Sequence, residues 1–303
     1  MRQAARVVHL MGTVIKLQVV FSQPEPILTE LVHRLKVYEH RFSANADDSE
    51  LMAIAHQAGK HPVKVHPDLY QLIKIGQQQS CLPNSRLNIA IGPLVQTWRI
   101  GFTDAKLPQS AEIKAALTKT DPHAIILDDT AQTVYLKKAG MALDLGSLAK
   151  GYIADLLITY LKRVGVTSAL LNLGGNVYAL GPMRQHQDQL WRIGIQDPAQ
   201  PRGNYKTIVK VQNRSVVTSG IYERQLKVGG RTYHHILDPQ TGYPMKTDVA
   251  SITVISPRSL DGELWTTRLF GQSQAVILAK LRQLPSIEGI VINQDGTMAT
   301  TWA

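Results

Sequence analysis

Apolar and polar positions alternate from Met1 through Leu17, a period of two that predicts extended chain, and Val14 to Phe21 reads as a strand. The period then changes. From Pro24 to Arg41 the apolar residues Ile27, Leu31, Leu35 and Tyr38 fall on one stripe, which predicts an amphipathic helix. Asp47-Asp48-Ser49-Glu50 opens a second helix with acidic residues where the helix dipole favours them. A third helix is expected over His66–Gln79, capped by Pro67 and Asp68. Gly92-Pro93 is expected to interrupt regular structure within residues 88–102. Ser110–Thr118 reads as helix, and Ala124–Leu127 with Thr133–Leu136 as a hairpin. Residues 142–162 read as a strand end, a Gly146-Ser147 turn and a helix with Leu148, Ile153, Leu156 and Tyr160 inward. Ala169–Leu173 reads as a buried strand closing on Gly174-Gly175. Strands are expected at 191–195, 207–211 and 251–256, with 197–204 as a linker between them. Arg258–Arg282 reads as one long helix, before a last hairpin of Gly289–Asn293 and Thr297–Thr301. Strands and helices alternate irregularly, so the expected class is α+β (mixed α/β), with no doubly wound sheet.

The stretch Ser215–Met245 is the most informative. Gly229-Gly230 offers the positive φ angles of a tight turn, with Val228 and Arg231–Ile236 as flanking strands. Asp238-Pro239-Gln240-Thr241-Gly242 is turn chemistry: proline fixes φ, aspartate caps, glycine permits φ > 0. His234 and His235 are neighbours on the return strand, so only one of them is expected to face a given cleft. Surface histidines on an ordinary hairpin are the plain alternative.

Composition narrows the class. The chain has 303 residues, 44% of them hydrophobic, enough to fold around one large core or two smaller ones. The net charge of +10 favours phosphate-bearing ligands, yet the basic residues are scattered without interleaved aromatics, which argues against nucleic acid. A single cysteine, Cys81, leaves no internal disulfide and has no histidine near it in sequence. No apolar run approaches the ~18 residues of a membrane span. The first residues lack a signal peptide's apolar stretch and cleavage site, so the expected compartment is the cytoplasm, or an export segment has been removed.

Two constellations carry chemistry. In Asp144-Leu145-Gly146-Ser147-Leu148-Ala149-Lys150-Gly151, a Gly-Ser turn leads into a helix whose free N–H groups suit phosphate, with Lys150 one turn in. Glu263 and Thr267 stand four apart on one helix, a carboxylate and a hydroxyl of the hard-oxygen kind that Mg²⁺ prefers. A common glycine turn and a solvated helix face are the plain readings of these two.

Together the motifs resemble the ApbE family, the FAD:protein FMN transferases, from Met11 to Gly271. D-L-G-S-L-A-K-G-Y (144–152) is similar to the family's D-L-G-G-x-A-K-G-Y. N-L-G-G-N (172–176), T-S-G-I-Y-E-R (218–224) and H-H-I-L-D-P-Q-T-G-Y-P (234–244) follow in the family's order. Ser43 with Ser49-Glu50, and Leu87-Asn88 through Trp98, add two more matches. The resemblance implies an ApbE-like fold, one catalytic domain over 1–303 or two lobes with an FAD cleft between them. It implies a reaction too: FAD is the substrate, Mg²⁺ the cofactor, FMN passes to a Thr of an acceptor flavoprotein, and AMP leaves. Hydrolysis of FAD to FMN and AMP, or FAD binding without an acceptor, is the competing reading.

By position the resemblance implies metal ligation by Ser147, Glu263 and Thr267, and proton abstraction by His235. It implies FAD contacts at Met11, Asn45, Arg86, Leu87, Asn88, Asp144, Lys150 and Ile236. The sequence departs from the family at four of these places: Glu263 stands where Asp is usual, Ser147 for a glycine, Asn88 for an aspartate and Asn45 for an aromatic.

Overall fold

In the computed structural model, which describes residues 1–302, the chain begins with the hairpin β1 (Arg2–Leu10) and β2 (Thr13–Phe21). Its tight turn puts Met11 and Gly12 at φ 53° and 65°. Then come α1 (Pro24–Arg41), α2 (Glu50–His56), β3 (Val63–Lys64), α3 (Pro67–Ser80), a 3₁₀ turn (Ile89–Ile91), α4 (Gly92–Trp98) and α5 (Ser110–Leu117). The hairpin β4 (Ile125–Asp128) and β5 (Thr133–Leu136) precedes α6 (Ala149–Arg163). Strands β6 (Ser168–Leu173), β7 (Asn176–Leu180), β8 (Trp191–Gln196), β9 (Tyr205–Val211), β10 (Arg214–Gly220), β11 (Gln225–Val228), β12 (Arg231–His234) and β13 (Val249–Ser256) follow. Helices α7 (Ser259–Leu269) and α8 (Gln274–Arg282) and the hairpin β14 (Glu288–Asn293) and β15 (Met298–Thr300) close the chain.

Eight strands form one sheet in the order β1-β2-β6-β7-β10-β13-β14-β15, with its neighbouring strands antiparallel throughout. Helices pack on it: Ile15, Leu17 and Val19 of β2 meet Leu28, Leu31 and Leu35 of α1 and Ile153 and Leu157 of α6. Further along, Ile252 and Val254 of β13 meet Ile277 and Leu281 of α8. Ile255 joins a separate cluster with Trp191, Ile193, Val209 and Val211, so the β8–β9 hairpin covers β13 on its other side. All eight residues of β13 are accordingly buried. A small cluster of Leu94, Trp98, Ile113 and Leu237 seats α4 and α5 under the turn that follows β12. The fold is α+β with antiparallel sheets packed by helices.

Several sequence expectations are corrected here. Gly92-Pro93 does not interrupt the chain; it starts α4, where the missing proline N–H costs no helical bond. Residues 142–145 are not a strand, although the Asp144 N–H donates to the Ile89 carbonyl. Asp68 does not cap α3: the ring of His66 accepts from the Asp68 N–H. On α6 the buried face is Ile153, Ala154, Leu157, Ile158 and Leu161, while Leu156 and Tyr160 are only half-buried. Residues 197–204 are the turn of the β8–β9 hairpin rather than a linker. The long C-terminal helix is two, broken where Gly271 takes φ 88° against the Met245 side chain.

Candidate active site

Four motif segments converge around the start of α6 and the middle of α7. The first is the turn before α6. Asp144 accepts from the Gly146 N–H at 2.8 Å, a short local bond that folds the Gly-Ser turn back on itself. Lys150, one turn into α6, donates to the Gly146 carbonyl at 3.4 Å, and its ammonium lies 4.0 Å from a Glu263 carboxylate oxygen. Ser147 is half-buried, and its hydroxyl has no hydrogen-bond partner among the described residues.

The second segment is α7. Glu263 is 5% exposed, which rules out the solvated helix face as its setting. The Asn176 amide donates to its Oε1 at 2.9 Å. Burial pushes the carboxyl pKa up, opposed by the Lys150 charge and the Asn176 bond. Thr267, one turn on, is half-buried with an unpaired hydroxyl among the described residues. Gly151 lets α6 and α7 approach: a Cβ there would stand 2.6 Å from Glu263 Cγ and 2.7 Å from the Ser259 carbonyl oxygen.

The third segment follows β12. Strand alternation ends at His234, so the two histidines are set by their hydrogen bonds rather than by the pleat. The two rings face different carbonyls: His234 Nε2 lies 2.9 Å from the Met245 oxygen, and His235 Nδ1 lies 3.3 Å from that of Arg224. A carbonyl only accepts, so the proton of His235 sits on Nδ1 and Nε2 keeps its lone pair. Burial, then the Arg224 charge, lowers the His235 pKa to about 4, and the ring is neutral at pH 7. The turn beyond it is anchored by Arg86, which pairs with Asp238 at 3.0 Å, and by the Trp98 indole donating to the Gly242 carbonyl at 2.8 Å. Ile236 is half-buried, and its carbonyl accepts from the Met245 N–H.

The fourth segment, residues 218–224, contributes Arg224, the last residue of T-S-G-I-Y-E-R, for which the motif alone implies no role. Arg224 has its side chain against Gly101, where a Cβ would stand 2.6 Å from its Cδ, and its guanidinium reaches toward Gly12. Its charge acts on both Asp144 and His235, and that of Lys150 acts on Asp144, His235 and Glu263. Asp144, Lys150, Arg224, His235 and Glu263 are therefore one electrostatic unit. Burial raises the Asp144 pKa against the Gly146 bond and the Arg224 and Lys150 charges.

The remaining expected contacts lie around this unit. Met11 holds the β1–β2 turn, its N–H bonded to Glu39. Asn45 is exposed on a turn fixed by Ser43 and lines a cleft of about 180 Å³ with Ala44, Met52, Gly92, Gln96 and Arg99. That cleft reaches Ala142 and Leu143, just before Asp144. Leu87 is fully buried, so its side chain serves the core and only its backbone is free for a ligand. The side chain of Asn88 is already engaged, accepting from the Ala90 N–H and donating to the Thr120 carbonyl, both at 2.8 Å. Cys81 stands apart at the end of α3, its thiol pKa raised by burial and by Asp121.

The sequence profile of the ApbE family matches residues 11–291, and the chain belongs to that family. A relative from Klebsiella pneumoniae strain 342, named FAD:protein FMN transferase, is 42% identical over 94% of this chain and 88% of its own. One of the same name from Treponema pallidum is 37% identical over 97% of this chain and 85% of its own. Among solved structures, the ApbE protein of Thermotoga maritima superposes with a TM-score of 0.89 at 26% identity, covering 98% of this chain and 96% of the other. The flavin transferase ApbE of Vibrio cholerae, at 23% identity over 99% of this chain and 96% of its own, shares the fold with a TM-score of 0.83.

Proposed function

We propose that this chain is an FAD:protein FMN transferase that joins FMN to a threonine of an acceptor flavoprotein and releases AMP. The observation that carries the reading is the convergence of a neutral, Nδ1-anchored His235 with Lys150, Arg224 and the buried Glu263 beside a helix-entry turn. Two cations and free N–H groups suit a pyrophosphate. A neutral imidazole with a free Nε2 suits proton abstraction from a hydroxyl. The cleft lined by Asn45 ends at Ala142 and Leu143, just before that turn, and would take one ring system of FAD.

The residues also fit Mg²⁺. Among the described residues no three His, Cys, Asp or Glu side chains gather into a cage, which disfavours a zinc-type site. One buried carboxylate with two unpaired hydroxyls is the sparse, all-oxygen set that Mg²⁺ completes with water and ligand phosphate. A cation would also offset the cost of ionising Glu263 in its buried setting. Ser147, Glu263 and Thr267 would hold it, and when bound it supplies charge neutralisation for the pyrophosphate.

In the reaction the acceptor hydroxyl oxygen bonds to the FMN phosphorus, and its proton passes to His235 Nε2. The bond from that phosphorus to the bridging oxygen breaks, and its electron pair leaves with AMP. Lys150 and Arg224 hold the phosphates and stabilise the charge that develops on the leaving group. The anion beside His235 also raises the imidazole pKa from about 4 toward the range of an effective base.

The test is AMP release from FAD with and without a threonine-bearing acceptor, in Mg²⁺ and in chelator. Release that needs both acceptor and Mg²⁺ is the expected result. Equal release without acceptor would make the protein an FAD pyrophosphatase, and no release would remove the reading.

A further inference from the structure

The motif N-L-G-G-N ends on Asn176, a residue that the proposed reaction leaves without a role. Asn176 is 2% exposed at the start of β7, and its amide lies between two partners on α7. Nδ2 donates to Glu263 Oε1 at 2.9 Å, and the Ser259 hydroxyl donates to Oδ1 at 2.6 Å. Ser259 is itself fully buried, and its backbone N–H donates to Asp155 Oδ1 at 2.7 Å. The other Asp155 oxygen accepts from the Leu260 N–H at 3.0 Å. Asp155 lies on α6, so it supplies from a neighbouring helix the cap that Arg258, at the α7 N-cap, does not. The result is a chain running from half-buried Asp155 through the buried Ser259 and Asn176 to Glu263.

Only one arrangement of the amide satisfies it. Turning the Asn176 amide over would set its oxygen against the Glu263 carboxylate, two acceptors in contact where both side chains are buried. The carboxylate, which only accepts, sets the amide's orientation, and the Ser259 hydroxyl reinforces it by donating to the amide oxygen. We infer that Asn176, held by Ser259, is the positioning residue that fixes the Glu263 carboxylate toward Ser147 and Thr267. Glutamate needs such a restraint more than aspartate would, having one more rotatable bond between backbone and carboxylate. Gly151 closes the other side, leaving Glu263 Cγ packed against the backbone of α6. Hydrogen-bond partners behind a metal ligand commonly govern about 10–100-fold in metal affinity. The inference rests on the reading of Glu263 as a metal ligand.

The experiment measures Mn²⁺ binding by electron paramagnetic resonance without FAD, and the Mg²⁺ concentration for half-maximal AMP release, in wild type and four variants. Asn176→Asp replaces the donor with a second carboxylate at the same place. It is expected to weaken Mn²⁺ binding and raise the Mg²⁺ half-saturation at least about 10-fold. FAD affinity should stay within about two-fold. Ser259→Ala removes the donor that holds the amide oxygen and is expected to weaken Mn²⁺ by about 3–10-fold, a part of the same range. In the double variant Asn176→Asp/Glu263→Asp the shorter side chain withdraws from residue 176, so the 10-fold effect should shrink to less than about three-fold relative to Glu263→Asp alone. If Asn176→Asp does not fold, Ser259→Ala decides. Wild type that binds Mn²⁺ with folded variants that bind equally well would overturn this inference alone. Wild type that binds no Mn²⁺ would overturn the metal reading beneath it.

Discussion

His235 and Glu263 concentrate the chemistry into two side chains, and His234 serves as the control for the first. His235→Ala should lower AMP release by about 10²–10⁴-fold while FAD affinity changes little, because a general base acts chiefly in the transition state. His234 bonds to the carbonyl of Met245, which is buried with Ile252, Val254, Ile277 and Leu281, so His234→Ala should cost stability more than rate. Kinetics and FAD titration of both variants check this, and a larger rate loss in His234→Ala would reverse the assignment. Glu263→Gln should weaken the response to Mg²⁺, since a neutral amide is a poorer partner for a hard cation. Superimposable Mg²⁺ curves for wild type and Glu263→Gln would mean that any metal is held elsewhere. At this scale the sequence carried Asp144, Lys150, His235 and Glu263 through their motifs, and the structure brings all four together. Arg224 and Asn176 stood in quoted motifs without a role, and Asp155 and Ser259 in none. The bonds that link Asp155, Ser259, Asn176 and Glu263 span 83 to 105 positions, and Arg224 reaches back to Gly101 and Gly12, none of which a local pattern encodes.

Between elements, the decisive contact is α6 against α7. Alanine in place of Gly151 would by helix propensity alone stabilise α6 by up to about 1 kcal/mol. The added Cβ would nonetheless meet Glu263 Cγ at 2.6 Å and the Leu260 backbone at 3.0 Å. Overpacking of that kind costs about 1–3 kcal/mol, so Gly151→Ala should be destabilised in urea unfolding and should need more Mg²⁺. Unchanged stability and Mg²⁺ response would show that the helices can separate freely. Element boundaries followed the sequence where one signal dominated. The expected helix Pro24–Arg41 coincides with α1, because proline, an apolar stripe and a basic last turn agree. The expectations failed where one signal has two meanings. Pro93 can end or start a helix, and the Trp98 cluster selects the start. The run 258–282 keeps helical composition through its break, and the break follows from Gly271 packing on Met245.

For the molecule as a whole, the site sets opposing pH dependences. The Asp155 pKa is raised by burial to about 6 from 3.8, so between those values the folded state holds more protons than the unfolded chain. Its contribution is present at low pH and lost as pH rises through about 6. His235 falls to about 4 from 6.5, so its contribution is present above 6.5 and lost as pH falls toward 4. The two slopes partly cancel between pH 4 and 6. His235→Gln removes one of them, and stability should then fall more steeply with rising pH in that window, by at most about 1.4 kcal/mol per pH unit. Denaturant midpoints at pH 4, 5 and 6 read this directly, and parallel wild-type and variant curves would contradict it. The central claim, that FMN is carried from FAD to a protein hydroxyl, is tested most directly by mass. A threonine-bearing acceptor peptide is incubated with the protein, FAD and Mg²⁺, beside the same peptide with valine for threonine. The expected result is one added FMN on the threonine peptide alone, matched mole for mole by AMP. AMP without any change in peptide mass would contradict it.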